Sequence, residues 1–189
     1  MKLTNSELVL LTLLYSEKQM IAGRTLLQKT LYFLNEMLDL NIDFRSYYYG
    51  PYSAEITDCL DSLKATGIIS ENIEQLPAFD FNVTFEPRKY TYFLGDTGES
   101  IAKDIEKNNL YDAEKIKKIL SEMKKYGVVH DYKNLSIAAK MHHILKKENK
   151  PMEPEEILEE AKALEWHIDE QEAAEAISFL KQIKLIQEA

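Results

Sequence analysis

The stretch FRSYYYGPYSAEI, residues Phe44–Ile56, decides the order of the elements around it. Its first half is short and aromatic, which predicts a β-strand over Phe44–Tyr49. The Gly50–Pro51 pair then turns the chain, and Ser53 is a residue type that caps helix N-termini. The sequence therefore predicts a strand that leads into a helix, and that helix ends at Gly67, a favoured left-handed cap.

Four tyrosines fall within residues 47–52, and their surroundings decide what the stretch does. Side chains alternate along a strand, so Arg45, Tyr47 and Tyr49 share one face. The favoured interpretation is a strand buried on both faces, with the tyrosine hydroxyl groups bonded to backbone. Two alternatives stay open: a surface for a protein partner, because tyrosine and arginine dominate binding hot spots, and a platform for base stacking.

Two helices are predicted before this stretch. Thr4 and Glu7 have the spacing of a capping box in front of an apolar run, so a first helix begins there. Leucines at positions 27, 31, 34 and 38 form the apolar stripe of a second helix over about residues 24–39.

A β-hairpin is predicted after the third helix. Ile68 and Ile69 begin one strand, and Lys89–Leu94 alternates as the second. The connection Glu71–Arg88 is long enough to form a wing. Helix, helix, strand, helix and hairpin together describe a winged-helix-like domain, which we assign to residues 1–110.

Residues 111–189 are predicted to form a helical second domain. Two lysine-rich helices come first, and a helix containing Ile157 follows them. After a short turn, Asp169 and Glu172 form a capping box that opens a last helix. This order is that of a helix-turn-helix unit, here a truncated winged-helix-like one. The predicted fold class is therefore mainly α (α+β).

The net charge of −9 argues against a protein that binds DNA over its whole surface. The charge is uneven: residues 1–110 have 10 basic and 16 acidic side chains (−6), residues 111–150 have 10 and 5 (+5), and residues 151–189 have 3 and 11 (−8). A DNA-binding protein of this composition would use the basic middle segment and the wing. The candidate nucleic-acid-binding residues are Arg88, Lys89, Lys115, Lys117, Lys118, Lys124, Lys125 and Lys140.

No pattern of residues predicts catalysis. The four histidines, at positions 130, 142, 143 and 167, have no metal-ligand spacing, and the six glycines form no phosphate-binding loop. We therefore expect no enzyme activity, no metal site and no cofactor. The apolar run Leu8–Tyr15 is too short to span a membrane, so we expect a cytoplasmic protein without a membrane partner.

One family pattern is present in the first third of the chain. The segments QKTLYF (Gln28–Phe33) and YYGPYS (Tyr48–Ser53), followed by Leu60–Leu63 and Gly67–Ile69, resemble the pattern shared by YwgA-like proteins and the Panacea (SocA-like) antitoxin domain. The resemblance covers roughly Leu8–Ile69. It implies a regulatory, non-catalytic module of antitoxin type, and it brings no catalytic residues.

These observations favour a regulatory protein that acts mainly through protein–protein binding. A DNA-binding transcriptional regulator is the alternative. The complementary charge of the middle and carboxyl-terminal segments also makes a homodimer a hypothesis. The candidate partner-binding residues are Lys29, Arg45, Tyr47, Tyr49 and Tyr52.

Overall fold

A computed structural model describes residues 3–75, 88–125 and 132–186. The described chain is mainly α-helical with one small antiparallel sheet, as the sequence predicts. The helices are α1 (Asn5–Tyr15), α2 (Arg24–Leu38), α3 (Ala54–Ala65), α4 (Asp96–Asn108), α5 (Leu110–Lys125), α6 (Tyr132–Glu148), α7 (Pro154–Ala163) and α8 (Glu170–Gln182). A 3-10 turn covers Glu17–Gln19, and the strands are β1 (Met20–Ala22), β2 (Ile69–Gln75) and β3 (Arg88–Leu94).

The predicted helix starts are confirmed at three positions. Thr4 and Glu7 exchange both hydrogen bonds of a capping box at the start of α1. Asp169 and Glu172 do the same at α8, and the Ser53 hydroxyl accepts from the backbone N–H of Ile56 at α3. Each such cap stabilises a helix by about 1 kcal/mol, because it satisfies backbone donors that have no partner inside the helix.

The core is built around α1. Residues 8–13 of this helix are all buried, because α1 is surrounded by α2, α3, α4 and α5. On the far side of α2, α6 packs against α2 and in turn holds α7 and α8. Buried side chains from both predicted domains belong to one hydrophobic cluster. The division into domains at residue 110 stays a prediction.

The sheet has the order β1–β3–β2, and both neighbouring pairs are antiparallel. The β2–β3 pair confirms the predicted hairpin, with Ile69 opposite Leu94 and Gln75 opposite Arg88. Residues 76–87, the main part of the predicted wing, lie outside the described residues. Strand β1 was not predicted, because three residues of mixed type carry too short a pattern to identify a strand.

The predicted strand over Phe44–Tyr49 is wrong. This segment is a loop closed by an isolated bridge in which Arg45 and Tyr52 exchange two backbone hydrogen bonds of 2.9 Å. Burial on both faces is wrong as well, because consecutive residues 45–49 are all exposed. Apart from that bridge, no strand in the described part of the chain pairs with this segment. Side chains from elsewhere in the fold instead bond to the carbonyl groups of this segment.

Among the described residues, no helix combines the length and the apolar character needed to cross a bilayer.

A charged cluster joins α2 and α3 to the sheet. The Glu71 carboxylate on β2 lies 3.3 Å from Lys64 Nζ of α3 and 3.8 Å from the Arg24 guanidinium of α2. The Glu71 side chain is only 13% exposed, and Tyr92, whose pKa is raised by burial and by a hydrogen bond to Glu71, lies opposite it on β3. The two cations and the Tyr92 hydroxyl together offset the water that this carboxylate loses.

Glu71→Gln is expected to lower the free energy of unfolding by about 1–3 kcal/mol, because the two cations lose the charge that they share. Asp61→Asn is the matched control: Asp61 also pairs with Lys64, at 2.8 Å, but it is 63% exposed. That control should cost about 0.5 kcal/mol or less. Urea unfolding of both variants measures the difference, and equal costs would contradict the assigned role of Glu71.

Candidate partner-binding site at the tyrosine loop

The tyrosine loop, residues 44–52, presents its aromatic side chains to solvent. Tyr47, Tyr48 and Tyr49 are 58%, 76% and 65% exposed. The Tyr47 ring lies 5.2 Å from the Tyr52 ring and 6.3 Å from the Tyr48 ring, measured between centroids. The rings of these three residues therefore form one cluster, and Tyr49 adds a further exposed ring on the same loop.

The backbone of the loop, in contrast, is fixed from below at three carbonyl groups. The Trp166 indole N–H donates to the Tyr47 carbonyl at 2.9 Å. The Ser136 hydroxyl of α6 donates to the Tyr49 carbonyl at 2.5 Å, and the Lys29 amine of α2 donates to the Pro51 carbonyl at 2.6 Å. Because alternate carbonyl groups are held by three separate elements, the loop has a defined shape without belonging to a sheet.

The end of the loop is held by Gln28. Its side-chain carbonyl accepts from the Ser53 N–H, and its side-chain amide donates to the Ser53 carbonyl, both at 3.1 Å. The two segments that carry the family resemblance, Gln28–Phe33 and Tyr48–Ser53, therefore contact each other directly through Gln28 and Lys29.

Gly50 is required at the centre of the loop. Its φ of +93° is a conformation that residues with a side chain rarely adopt. A Cβ at this position would also lie 2.9 Å from the Cγ atom of Lys140 and 3.4 Å from the Cε atom of Lys29. The two lysines can lie against the loop backbone only because residue 50 has no side chain.

Lys29 is the most unusual residue beneath the loop. It is 2% exposed, and burial, followed by the nearby charge of Lys140, lowers its pKa to about 7. The pKa of Lys140 is lowered as well, by burial, and its amine lies 5.5 Å from the Trp166 ring. The amine of Lys29 keeps an N–H for the Pro51 carbonyl in either protonation state.

The start of the loop is anchored by two histidines of α6. The Ser46 hydroxyl and His143 Nε2 lie 3.1 Å apart, and His142 Nδ1 lies 2.8 Å from the Tyr32 hydroxyl of α2. Burial lowers the pKa of both histidines. The Tyr32 ring also packs edge-on against Phe44 at 5.2 Å. The loop is thereby connected to the contact between α2 and α6.

The structure separates the candidate partner-binding residues into two layers. The outer layer contains the Tyr47 and Tyr49 rings and the Arg45 side chain. The Arg45 side chain is 85% exposed and forms an ion pair with Asp43 at 2.8 Å. Tyr52 is half-buried, and its hydroxyl is 2.6 Å from the Thr57 hydroxyl. Lys29 is inside, so it acts on the loop backbone rather than on a partner.

Lys29 is a candidate residue from the sequence, but sequence reasoning missed four other residues that hold the loop. They are Gln28, Ser136, His143 and Trp166. Trp166 is the only tryptophan in the chain, but nothing in its sequence surroundings places it near Tyr47.

The candidate nucleic-acid-binding residues do not form one surface. Arg88 and Lys89 begin β3, where Lys89 is opposite Glu74. Lys140 lies under the tyrosine loop. The remaining five lysines, Lys115, Lys117, Lys118, Lys124 and Lys125, are all exposed on α5. Among these candidates, those on α5 are the ones that form a group of exposed cations within reach of phosphate.

No group of three or more histidine, cysteine, aspartate or glutamate side chains within the described ranges is arranged to hold a metal ion. His130 lies outside those ranges. In comparisons with known proteins, no family model matches the chain, and no curated protein is detectably similar to it.

Lys29 is expected to make stability depend on pH between about 7 and 10.5. Its pKa is about 7 in the folded protein against the usual 10.5, so the unfolded chain holds more protons across this window. The free energy of unfolding should therefore rise as pH increases through it. Lys29→Met should remove most of this rise and leave the smaller part that comes from the lowered pKa of Lys140, whereas Lys118→Met, at an exposed position of α5, should keep all of it.

Urea unfolding of the three proteins at several pH values between 6.5 and 10 (~0.5 unit steps) measures these slopes. If the wild-type protein and Lys29→Met have the same pH dependence, Lys29 does not titrate in the folded protein as its burial implies.

Proposed function

We propose that this chain is a non-enzymatic regulatory protein of antitoxin or regulator type, and that it acts mainly through protein–protein binding. The tyrosine loop is the proposed binding surface. The observation that carries the proposal is the contrast within this loop: exposed tyrosine rings stand on a backbone that Trp166, Ser136 and Lys29 hold by its carbonyl groups.

Such a loop suits recognition for an energetic reason. A flexible loop loses conformational entropy when it binds, at roughly 0.5–1.5 kcal/mol for each side chain that is immobilised, and backbone ordering adds to this cost. In the tyrosine loop, the backbone is already ordered. Tyrosine supplies a large contact area with only two rotatable side-chain bonds, which keeps the remaining cost small.

A winged-helix-like interpretation of residues 1–110 agrees with this function. The supporting features are α1, α2 and α3 followed by the β2–β3 hairpin, in that order. In the same interpretation, α7 and α8 with the short turn between them are the helix-turn-helix-like part of the carboxyl-terminal unit. The antitoxin part of the proposal comes from the resemblance to the Panacea and YwgA-like pattern, whose two segments are joined here by the hydrogen bonds of Gln28 and Lys29 to Ser53 and Pro51.

DNA-binding transcriptional regulation is the second candidate function. The exposed lysines of α5 favour it, with Lys118 and Lys125 seven residues apart and therefore on one side of the helix. The acidic charge of α3, the helix that would enter the major groove in a winged-helix domain, weakens it. On α3, Glu55, Asp58 and Asp61 are all exposed and would face phosphate groups with like charge.

A photo-crosslinking amino acid, p-benzoylphenylalanine, tests the protein-binding proposal when it replaces Tyr48. In cells that express the protein, we expect a discrete cross-linked product that disappears when Tyr47→Ala and Tyr49→Ala are added. The matched control carries the crosslinker in place of Tyr111, which is 74% exposed on α5, a helix that makes none of the loop contacts described above. The same products from both positions, or none from position 48, would contradict the proposal.

Fluorescence anisotropy of a labelled random DNA duplex separates the two candidate functions. If protein binding is the function, the duplex should show no submicromolar binding, even at low salt. Tight binding that weakens steeply with salt would favour the regulator, because each phosphate contact releases counterions. In that case Lys118→Glu with Lys125→Glu should abolish binding, while the Tyr47→Ala variant should bind as the wild-type protein does.

A further inference from the structure

A second surface lies on the other side of α2, away from the tyrosine loop. A groove of about 680 Å³ opens between β1 and α5. Leu26 of α2 and Leu120 of α5 supply apolar parts of its lining. Its size is within the range of ligand-binding cavities, about 300–1,000 Å³.

One wall of the groove is the open edge of the sheet. Gly23 N–H donates to the Tyr90 carbonyl at 2.6 Å, and by alternation the backbone groups of Ile21 also point toward β3. The backbone groups of Met20 and Ala22 therefore point outward, on the side where the groove lies. In the described part of the chain, no strand pairs with this outer edge of β1.

Three backbone groups of this edge are available to a partner. The Met20 N–H is used, because it donates to the Glu17 carbonyl. The Met20 carbonyl and both backbone groups of Ala22 remain directed outward, and both residues are exposed. An exposed edge of this kind is a template for the addition of a strand from another chain.

The charge of the groove selects the kind of strand. Lys18, Lys117 and Lys124 line it against a single acidic residue, Glu17. Lys124 pairs with Glu17 at 3.3 Å, but both side chains are more than half exposed, so exchange of this partner costs little. The groove therefore has an excess of positive charge around an apolar lining.

We propose that this groove binds an extended acidic peptide segment of a protein partner, which adds as a strand to the outer edge of β1. An apolar side chain of the peptide packs against Leu26 and Leu120, and acidic side chains next to it reach the lysines. A second copy of this chain fits less well, because two copies paired edge to edge would bring like-charged lysines together. The proposal is independent of the tyrosine loop, which uses other residues of α2.

A fluorescein-labelled hexapeptide of alternating glutamate and valine tests the proposal with the full-length protein. We expect its anisotropy to rise on binding and the affinity to fall with salt, and a lysine–valine hexapeptide of the same pattern should not bind. Methylation of backbone nitrogens in the peptide then tests strand addition. Methyl groups on one set of alternate residues should abolish binding, and those on the other set should not, because only every second N–H of an added strand faces β1.

Lys117→Glu and Lys118→Glu are the matched variants. They are neighbours on α5 and both exposed, but only Lys117 lines the groove. We expect Lys117→Glu to weaken binding roughly tenfold and Lys118→Glu to leave it unchanged. The methylated peptides give an answer even if a variant does not fold.

Three results would overturn the proposal: no binding of the acidic peptide, equal effects of the two sets of methyl groups, or equal effects of the two variants. Sedimentation of the protein alone, which measures its oligomeric state, can give a fourth result that overturns the proposal. A dimer that Lys117→Glu strengthens would assign the groove to a second copy of the chain, since the mutation removes the like-charge repulsion.

Discussion

The carbonyl oxygen of Pro51 lies against the buried amine of Lys29, and much of the structure around α2 depends on this contact. A buried backbone acceptor without a partner costs about 1–3 kcal/mol, and the 2.6 Å bond from Lys29 removes that cost. Lys29 can be neutral beneath the loop, because its pKa is lowered to about 7. Lys29 can therefore donate a hydrogen bond to the Pro51 carbonyl without keeping a permanent charge in the interior. The bond also fixes the distance between α2 and the start of α3, because Ser53 follows two residues later and caps α3.

The carboxyl-terminal helices are needed for the same reason. The carbonyl groups of Tyr47 and Tyr49 find no strand partner, and their donors come from Trp166, after α7, and from Ser136 on α6. These donors are 119 and 87 residues away in sequence. Residues beyond 110 thus complete a loop that belongs to the first predicted domain. The contact of His142 with Tyr32 and the 2.8 Å ion pair of Lys146 with Glu36 hold α6 against α2 at the same place.

Local features of the fold were predictable from sequence, and long-range ones were not. The caps at Thr4, Ser53 and Asp169 involve residues at most three positions apart, so the sequence pattern alone identifies them. The tyrosine loop was predicted as a strand because its residue types suit strands. The preference of these residue types for strands arises from packing against neighbouring strands. Among the residues that the structure describes, the tyrosine loop has no neighbouring strand, and it packs instead on side chains of α2, α6 and Trp166. The candidate residues Tyr47 and Tyr49 were predicted from composition, whereas no local pattern indicates the donors beneath them.

Helix α2 explains why the leucine stripe gave an incomplete prediction. Leu26 through Asn35 are all buried, so this helix has partners on every side rather than on one stripe. At 100° for each residue, Gln28 and Tyr32 lie about half a turn away from Leu26 and Thr30. The first pair contacts the tyrosine loop and α6, and the second pair lines the groove beside β1. Buried polar residues such as Gln28 and Lys29 conflict with a simple helix pattern, and such conflicts occur where a structure serves a function as well as stability.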